Sequence, residues 1–377
     1  MSILDAAITL QDTLAKRASE CEAVRRLPED LAREMAQAGM FRLITPKTLN
    51  GLEVTPLKFM EVLEVLAVSN ASASWCAMIA CTSTVSAAYM DEETAAEIFG
   101  DPDVIAGGIF APMGKAVPDG DDYIVTGRWQ WGSGSANCQW IGGGAMIEGP
   151  DGEITGDARM FFFPSGDVEL HDTWHVAGLK GTGSGDMSVT NARVPKGRSV
   201  SLMLDTPRET GTLYTFPPFG LLGIGVAAVA LGNAMGAVES FSALATQKKN
   251  QGSTRTLAER QVIQAEYAKA SASLRAARAY LIDEIALTWQ EAEETGKQSV
   301  ERRAGLRLAC SHMTRTAADV TRTMYEYAGG TALFESSDLQ RRLRDAHAIT
   351  QHIVTAPATF ELMGRVMFGL PTNDGMI

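Results

Sequence analysis

Hydrophobic positions along this chain follow a helical period over roughly residues 3–100, switch to strand-like alternation through about residue 195, and return to long helical runs afterwards. In the first stretch, Pro28-Glu29-Asp30 opens a helix, with proline and acids in the first turn where free N–H groups favour them. Gly39 ends that helix. Pro56 opens the next, over 57–69. Residues 71–90 are small and apolar nearly all round, which predicts a buried helix. Asp91-Glu92-Glu93 begins another short one. From Val104 the chain reads as β: a turn at Asp119-Gly120, strands over 123–131, 140–147 and 158–163, and a closing strand over 186–195. Short strands with turn signals predict a small antiparallel barrel or sandwich. Pro217-Pro218 restarts helix, and four runs over 221–251, 257–294, 299–327 and 339–368 predict an up-and-down four-helix bundle. The expected fold is α+β, mostly α: a helical domain at 1–103, a β-domain at 104–210 and a bundle at 211–377.

Composition narrows the function classes. A net charge of -12 argues against a nucleic-acid partner, because phosphate binding needs a basic surface. Five cysteines without a CxxC pair fit neither a disulfide framework nor a zinc site, and a reducing cytoplasm is the expected location. The first twenty residues lack the basic-then-apolar plan of a signal peptide. The most apolar stretch, 219–232, is too short to span a bilayer and reads as a buried helix.

The candidate chemistry lies in the β region, at Trp129-Gln130-Trp131-Gly132-Ser133-Gly134-Ser135. Indoles offer planar apolar walls, glycines let backbone approach a ligand, and hydroxyls bond ring nitrogens. Such a set suits a flat, polar-edged ring such as an isoalloxazine; a β-hairpin with core tryptophans would read the same way. The string Lys180-Gly-Thr-Gly-Ser-Gly-Asp186 is followed by a strand rather than a helix, so it is no dinucleotide fingerprint, and Gly142-Gly143-Gly144 fails likewise. Gly329-Gly330-Thr331 is first a helix stop. Of the five histidines, His171 and His175 sit in loop or strand and make no helical metal pair; no metal site is expected. On a continuous last helix, Asp345, Ile349, His352 and Ala356 share one stripe. His352 there suits a general acid or base, or a packed core histidine. Asp345 has an acid's alternatives, capping or pairing with Arg342 or Arg344.

Taken together, these segments resemble the acyl-CoA dehydrogenase superfamily over nearly the whole chain. Tyr123-Ile-Val-Thr-Gly-Arg-Trp-Gln-Trp-Gly-Ser133 is similar to its flavin-binding β segment, Ala328-Gly-Gly-Thr331 to the loop that reaches a neighbouring subunit's cofactor, and Leu343-Arg-Asp-Ala346 to the start of its final helix. The glutamate that a dehydrogenase uses to take a substrate proton would fall near Ile353 or Leu222, and neither side chain accepts a proton. Phe110-Ala-Pro-Met-Gly114, Trp131-Gly-Ser-Gly134, Gly178-Leu-Lys-Gly-Thr-Gly-Ser184, Arg344-Asp-Ala-His and Gln351-His352 resemble the two-component flavin-dependent monooxygenases of this fold instead.

That resemblance implies a reduced flavin (FADH2 or FMNH2) supplied by a separate NAD(P)H:flavin reductase, with molecular oxygen as co-substrate and a flavin C4a-hydroperoxide as oxidant. It implies catalytic roles for His352 and Ser133, with Ser133 at flavin N5. Phe110, Ala111, Trp131, Gly134, Thr182, Gly329 and Gly330 would contact cofactor; Trp75, Ser83 and His352 would line the substrate site. Some phenol hydroxylases of the branch carry a histidine eight residues after the tryptophan. Ser83 stands there, so a simple phenol gives way to indoles, other heteroaromatics or amines. Lys248-Lys249-Asn250-Gln251-Gly252 lacks the dehydrogenases' pyrophosphate-gripping Arg-x-x-Phe-Gly, leaving FMN or a differently held FAD. A homotetramer is implied as well. The competing readings are a dehydrogenase or oxidase with a displaced base, and a non-catalytic flavin-binding protein.

Overall fold

The structure, a computed structural model, describes every residue except Met1, Pro150, Asp374 and Met376. Among the described residues six α-helices come first: α1 (Ile3–Lys16), α2 (Ala18–Val24), α3 (Glu29–Gln37), α4 (Pro56–Ser69), α5 (Ala71–Thr84) and α6 (Glu92–Phe99). Their starts are encoded locally. Thr55 caps α4, with Pro56 in its first turn; Asn70 caps α5 and Asp91 caps α6 by accepting backbone N–H groups. The helix expected over 71–90 is shorter: α5 ends at Thr84 and tightens into a 3-10 turn, Val85–Tyr89.

The central region is one sheet built from β1 (Ala106–Asp119), β2 (Asp122–Trp129), β3 (Trp140–Glu148), β4 (Ile154–Pro164), β5 (Glu169–His171), β6 (Asp186–Pro195) and β7 (Ser199–Val200). Its order is β5-β6-β2-β1-β3-β4-β7. The sheet is mixed rather than wholly antiparallel, because β1 and β3 run parallel. The reason is topological. β2 and β3 lie on opposite sides of β1, so the chain joining them must cross the start of β1. That crossing is 130–139, anchored where Gln139 N donates to Ile105 O at 2.9 Å. The suspected cofactor motif is therefore a crossover segment at a strand end, not a hairpin.

The C-terminal region holds α7 (Pro218–Gln247), α8 (Gln261–Thr295), α9 (Val300–Ala328), α10 (Asp338–Ile349) and α11 (Pro357–Met367). α7 is longer than the apolar stretch that suggested it, and is apolar and long enough to cross a membrane by length and composition; most of it is buried here. It packs on α4, α5, α9 and α10, so the N-terminal helices and the bundle share one core. The fourth bundle helix is broken. Proline disfavours helical backbone before it, and Pro357 restarts the chain as α11 after a turn over 350–356. The helical stripe drawn through His352 and Ala356 therefore ends at Ile349.

Candidate active site

The site is assembled from four separated pieces: the 130–139 crossover, α5, the loop over 178–185, and the turn between α10 and α11. Trp129 ends β2 fully buried. Its Nε1 donates to Gly144 O at 2.7 Å, and its ring fills a slot where a Cβ on Gly114, Gly127 or Gly143 would come within 2.6 to 2.7 Å of it. The Gly142-Gly143-Gly144 run thus serves packing. Trp131, two residues on, has a left-handed backbone (φ 68°) and leaves 61% of its surface exposed. A large residue in that conformation is strained, and strain of this kind persists where a site over-determines it.

Ser133 lies behind Trp131 in a closed chain of hydrogen bonds. Trp75 Nε1, on α5, donates to Ser133 Oγ at 3.0 Å. Ser133 Oγ is 2.7 Å from Ser184 Oγ, which is 2.6 Å from Thr182 Oγ1. Thr182 Oγ1 donates to Leu179 O at 2.8 Å. Backbone bonds hold the two segments together: Gly132 N to Gly185 O at 3.0 Å and Gly134 N to Thr182 O at 2.8 Å. The cavity on the inner side of Ser133, bordered by Cys76, Asn137 and Cys138, has about 10 Å³, room for one water and not for a ring. This cavity is therefore not the place of a flat ligand.

Leu179 anchors this chain. Its backbone is left-handed (φ 51°), its carbonyl also accepts Trp174 Nε1 at 3.0 Å, and its N–H donates to Asp345 Oδ1 at 2.6 Å. Asp345 therefore pairs with neither Arg342 nor Arg344. Arg342 bonds Asp338, and Arg344 bonds Glu22 and Ala177 O. Burial pushes the Asp345 carboxyl up to about 6, against the pull of the Leu179 N–H. α10 sits so close to this loop that a Cβ on Gly178 would lie 2.1 Å from Arg344 O.

His352 occupies the turn after α10. Its Nδ1 accepts Val354 N–H at 3.3 Å, which leaves the proton on Nε2. The ring makes a T-shaped contact with Trp75, centroids 5.5 Å apart and planes 69° apart. Burial and the neighbouring positive charge of Arg307 push His352 down to about 4. Arg307 is buried on α9 and donates to Val354 O at 3.1 Å, so it also holds the turn. Ile353, near which the resemblance would put a dehydrogenase's glutamate, leaves 68% of its surface exposed.

The other expected site residues are scattered in an orderly way. Phe110 and Ala111 lie in a bulge of β1, where the β1–β3 register slips between Ile109 and Gly114, and Ala111 is exposed. Ser83 is buried on α5, with its Oγ bonded back to Ile79 O at 2.8 Å, so its hydroxyl is engaged within its own helix. Gly329 and Gly330 lie exposed at the end of α9, Gly329 beside Lys248. At 1.5 Å per residue, they stand about 30 Å along α9 from Arg307. His171 bonds Ser188, and His175 lies beside Asp172. Sequence reasoning missed Ser184, Leu179 and Arg307. The first two stand in the Gly178–Ser184 string, where the signal was present but only Thr182 was singled out. Arg307 carries no signal: among the arginines of α9 nothing in the sequence marks the buried one.

Comparison with known proteins agrees with this architecture. Residues 5–97 match the family model of the acyl-CoA dehydrogenase N-terminal domain, and residues 224–357 that of the C-terminal domain. The chain is similar to an indole-3-acetate monooxygenase of Acinetobacter baumannii, 31% identical over 96% of this chain and 92% of that relative. It is similar to the flavin-dependent monooxygenase oxygenase subunit HsaA of Mycobacterium tuberculosis, 31% identical over 100% of this chain and 98% of that relative. The solved structure of a 3-HSA hydroxylase from Rhodococcus sp. RHA1 superimposes with a TM-score of 0.93 at 27% identity, covering 100% of this chain and 99% of that one. With both domain models matched and full-length relatives of one kind, the chain belongs to the acyl-CoA dehydrogenase superfamily, among its flavin-dependent monooxygenase oxygenase components.

Proposed function

We propose that this protein hydroxylates an aromatic or heteroaromatic small molecule of indole-like shape, using reduced flavin held against Trp131 and Ser133. One observation carries the reading. The Trp75 indole bonds Ser133 with its N–H and makes a T-shaped contact with the His352 ring, so a single side chain joins the flavin side to the substrate side. The residues fit the cofactor: an exposed, strained indole beside small residues, and a hydroxyl with an unused lone pair at the end of a strand. Bound reduced flavin supplies the two electrons with which dioxygen is activated. Trp131, Phe110, Ala111 and Gly134 would border it, Ser133 would hold its N5 edge, and Thr182 would stand behind Ser133. Trp75, Ser83 and His352 would border the substrate.

His352 holds rather than gives a proton in this reading. Its ring stays neutral at physiological pH, and Nε2–H is a hydrogen-bond donor to oxygen beside the substrate. Trp75 and the small residues of α5 are buried and keep water from that side of the reacting centre, while His352 is half-buried at its edge. A separate NAD(P)H:flavin reductase would deliver the flavin. Gly329 and Gly330 are too far along α9 to serve their own subunit's His352, and they are followed by exposed Leu333 and Phe334. These features support the expected homotetramer, in which that loop meets a neighbour's cofactor. Domain limits at 103 and 210 are proposed with the same assembly.

Anaerobic binding of photoreduced FMN and FAD, followed by oxygen and an indole panel, tests the reading. Hydroxylated product with little hydrogen peroxide supports it; peroxide formation that no aromatic compound suppresses contradicts it.

A further inference from the structure

We infer that the buried hydroxyls of Ser184 and Thr182 fix the direction in which the Ser133 hydroxyl points, and thereby make the site favour flavin that carries a proton on N5. The inference rests on the flavin reading above. Its basis is a count of protons. Indole N–H only donates, and a carbonyl only accepts. Trp75 Nε1–H enters the chain at Ser133 Oγ, and Thr182 Oγ1–H leaves it at Leu179 O. Each hydroxyl has one proton. Since that of Thr182 is committed to Leu179 O, the 2.6 Å bond between Ser184 and Thr182 must use the Ser184 proton. The 2.7 Å bond between Ser133 and Ser184 must then use the Ser133 proton.

Only one arrangement satisfies all four bonds, and it leaves Ser133 Oγ with a single lone pair. Ser133 can therefore accept a hydrogen bond from a ligand but cannot donate one. Reduced flavin has N–H at N5 and matches. Oxidised flavin has a bare nitrogen lone pair there and meets another lone pair. All three hydroxyls are buried, so solvent does not relax the arrangement. An oxygenase that takes reduced flavin from a separate protein and releases oxidised flavin benefits from this polarity. Ser184 and Thr182 are positioning residues, acting through Ser133.

The test is a pair of dissociation constants, reduced and oxidised, measured anaerobically with FMN and with FAD. Ser184→Ala frees the Ser133 proton to turn toward N5. The preference for reduced over oxidised flavin should fall by roughly three- to tenfold, the scale of one hydrogen bond. A tenfold fall lowers the midpoint potential of the bound flavin by about 30 mV. Thr182→Val should shift the preference in the same direction, while Thr182→Ser, which keeps the hydroxyl, should retain the wild-type value. That pair decides the matter if Ser184→Ala does not fold. A wild-type protein that binds neither flavin overturns the flavin reading itself. A wild type that prefers reduced flavin, with an unchanged ratio in Ser184→Ala and Thr182→Val, overturns the relay alone.

Discussion

Trp129 is wholly enclosed by the sheet and uses its N–H on Gly144 O, whereas Trp131 turns through a left-handed backbone and presents its ring to the outside. The two are alike in chemistry and two positions apart. The boundary between them is the end of β2, where the chain leaves its pairing with β6 at Met187 and begins to cross β1. Position relative to that strand end, not residue type, separates the packing indole from the one free to meet a ligand. The glycine slot around Trp129 and the hydroxyl chain behind Trp131 show the same division: close packing on one side, polar satisfaction with one lone pair to spare on the other.

Substitutions should separate these roles. Trp129→Ala empties the glycine slot, and a loss of about 3–5 kcal/mol of stability is expected in denaturant unfolding. A loss below about 1 kcal/mol would put Trp129 outside the core. His352→Ala, which removes one positioned hydrogen-bond donor, should lower coupled hydroxylation by about 10²–10³-fold. His352→Gln, which retains an N–H donor, should recover much of that loss, and no recovery would mean that the ring itself is required. Ser133→Ala strands the buried Trp75 N–H, so about 1–3 kcal/mol of stability should be lost, with more peroxide released per flavin consumed. Trp131→Ala is expected to change stability by less than about 0.5 kcal/mol, as an exposed position, while weakening flavin binding measurably. Equal stability losses at 129 and 131 would erase the distinction drawn between them.

The smallest effect concerns pH. His352 takes a proton near pH 4 when folded and near 6.5 in its ordinary state. The stability associated with its neutral form is thus complete above pH 6.5 and is lost as pH falls toward 4. Asp345 acts oppositely. Its carboxyl is raised from 3.8 to about 6, so its contribution declines as pH rises through that window. The two partly offset in wild type. Melting temperatures of His352→Gln between pH 6.5 and 4.5 should therefore fall less than those of wild type. An identical fall would remove His352 from the acid-side balance.

Much of this was legible in the sequence. Proline and acidic starts marked α4, α6 and α7, because those signals are local, while α5 was marked by its run of small apolar residues. Ser133 was legible as a hydroxyl in a glycine-rich segment, and the resemblance supplied His352. Three things were not. The parallel β1–β3 pairing depends on which side of β1 the chain chooses, and strand pattern does not encode that. The break before α11 was written in Pro357, but the long amphipathic run masked it. The link from Asp345 through Leu179 to Thr182 joins residues about 165 positions apart in sequence, and only the folded backbone brings them together.

The central claim is that Trp131 and the Ser133 cluster hold reduced flavin where oxygen can be used productively. Rapid mixing of the protein and photoreduced FMN or FAD with oxygenated buffer tests it most directly, followed by absorbance. A transient near-UV band that forms before oxidised flavin appears, and that is shortened or lost in Ser133→Ala, is the predicted result. Reoxidation of both flavins at the rate of free flavin, with no transient in the wild-type protein, would contradict the account.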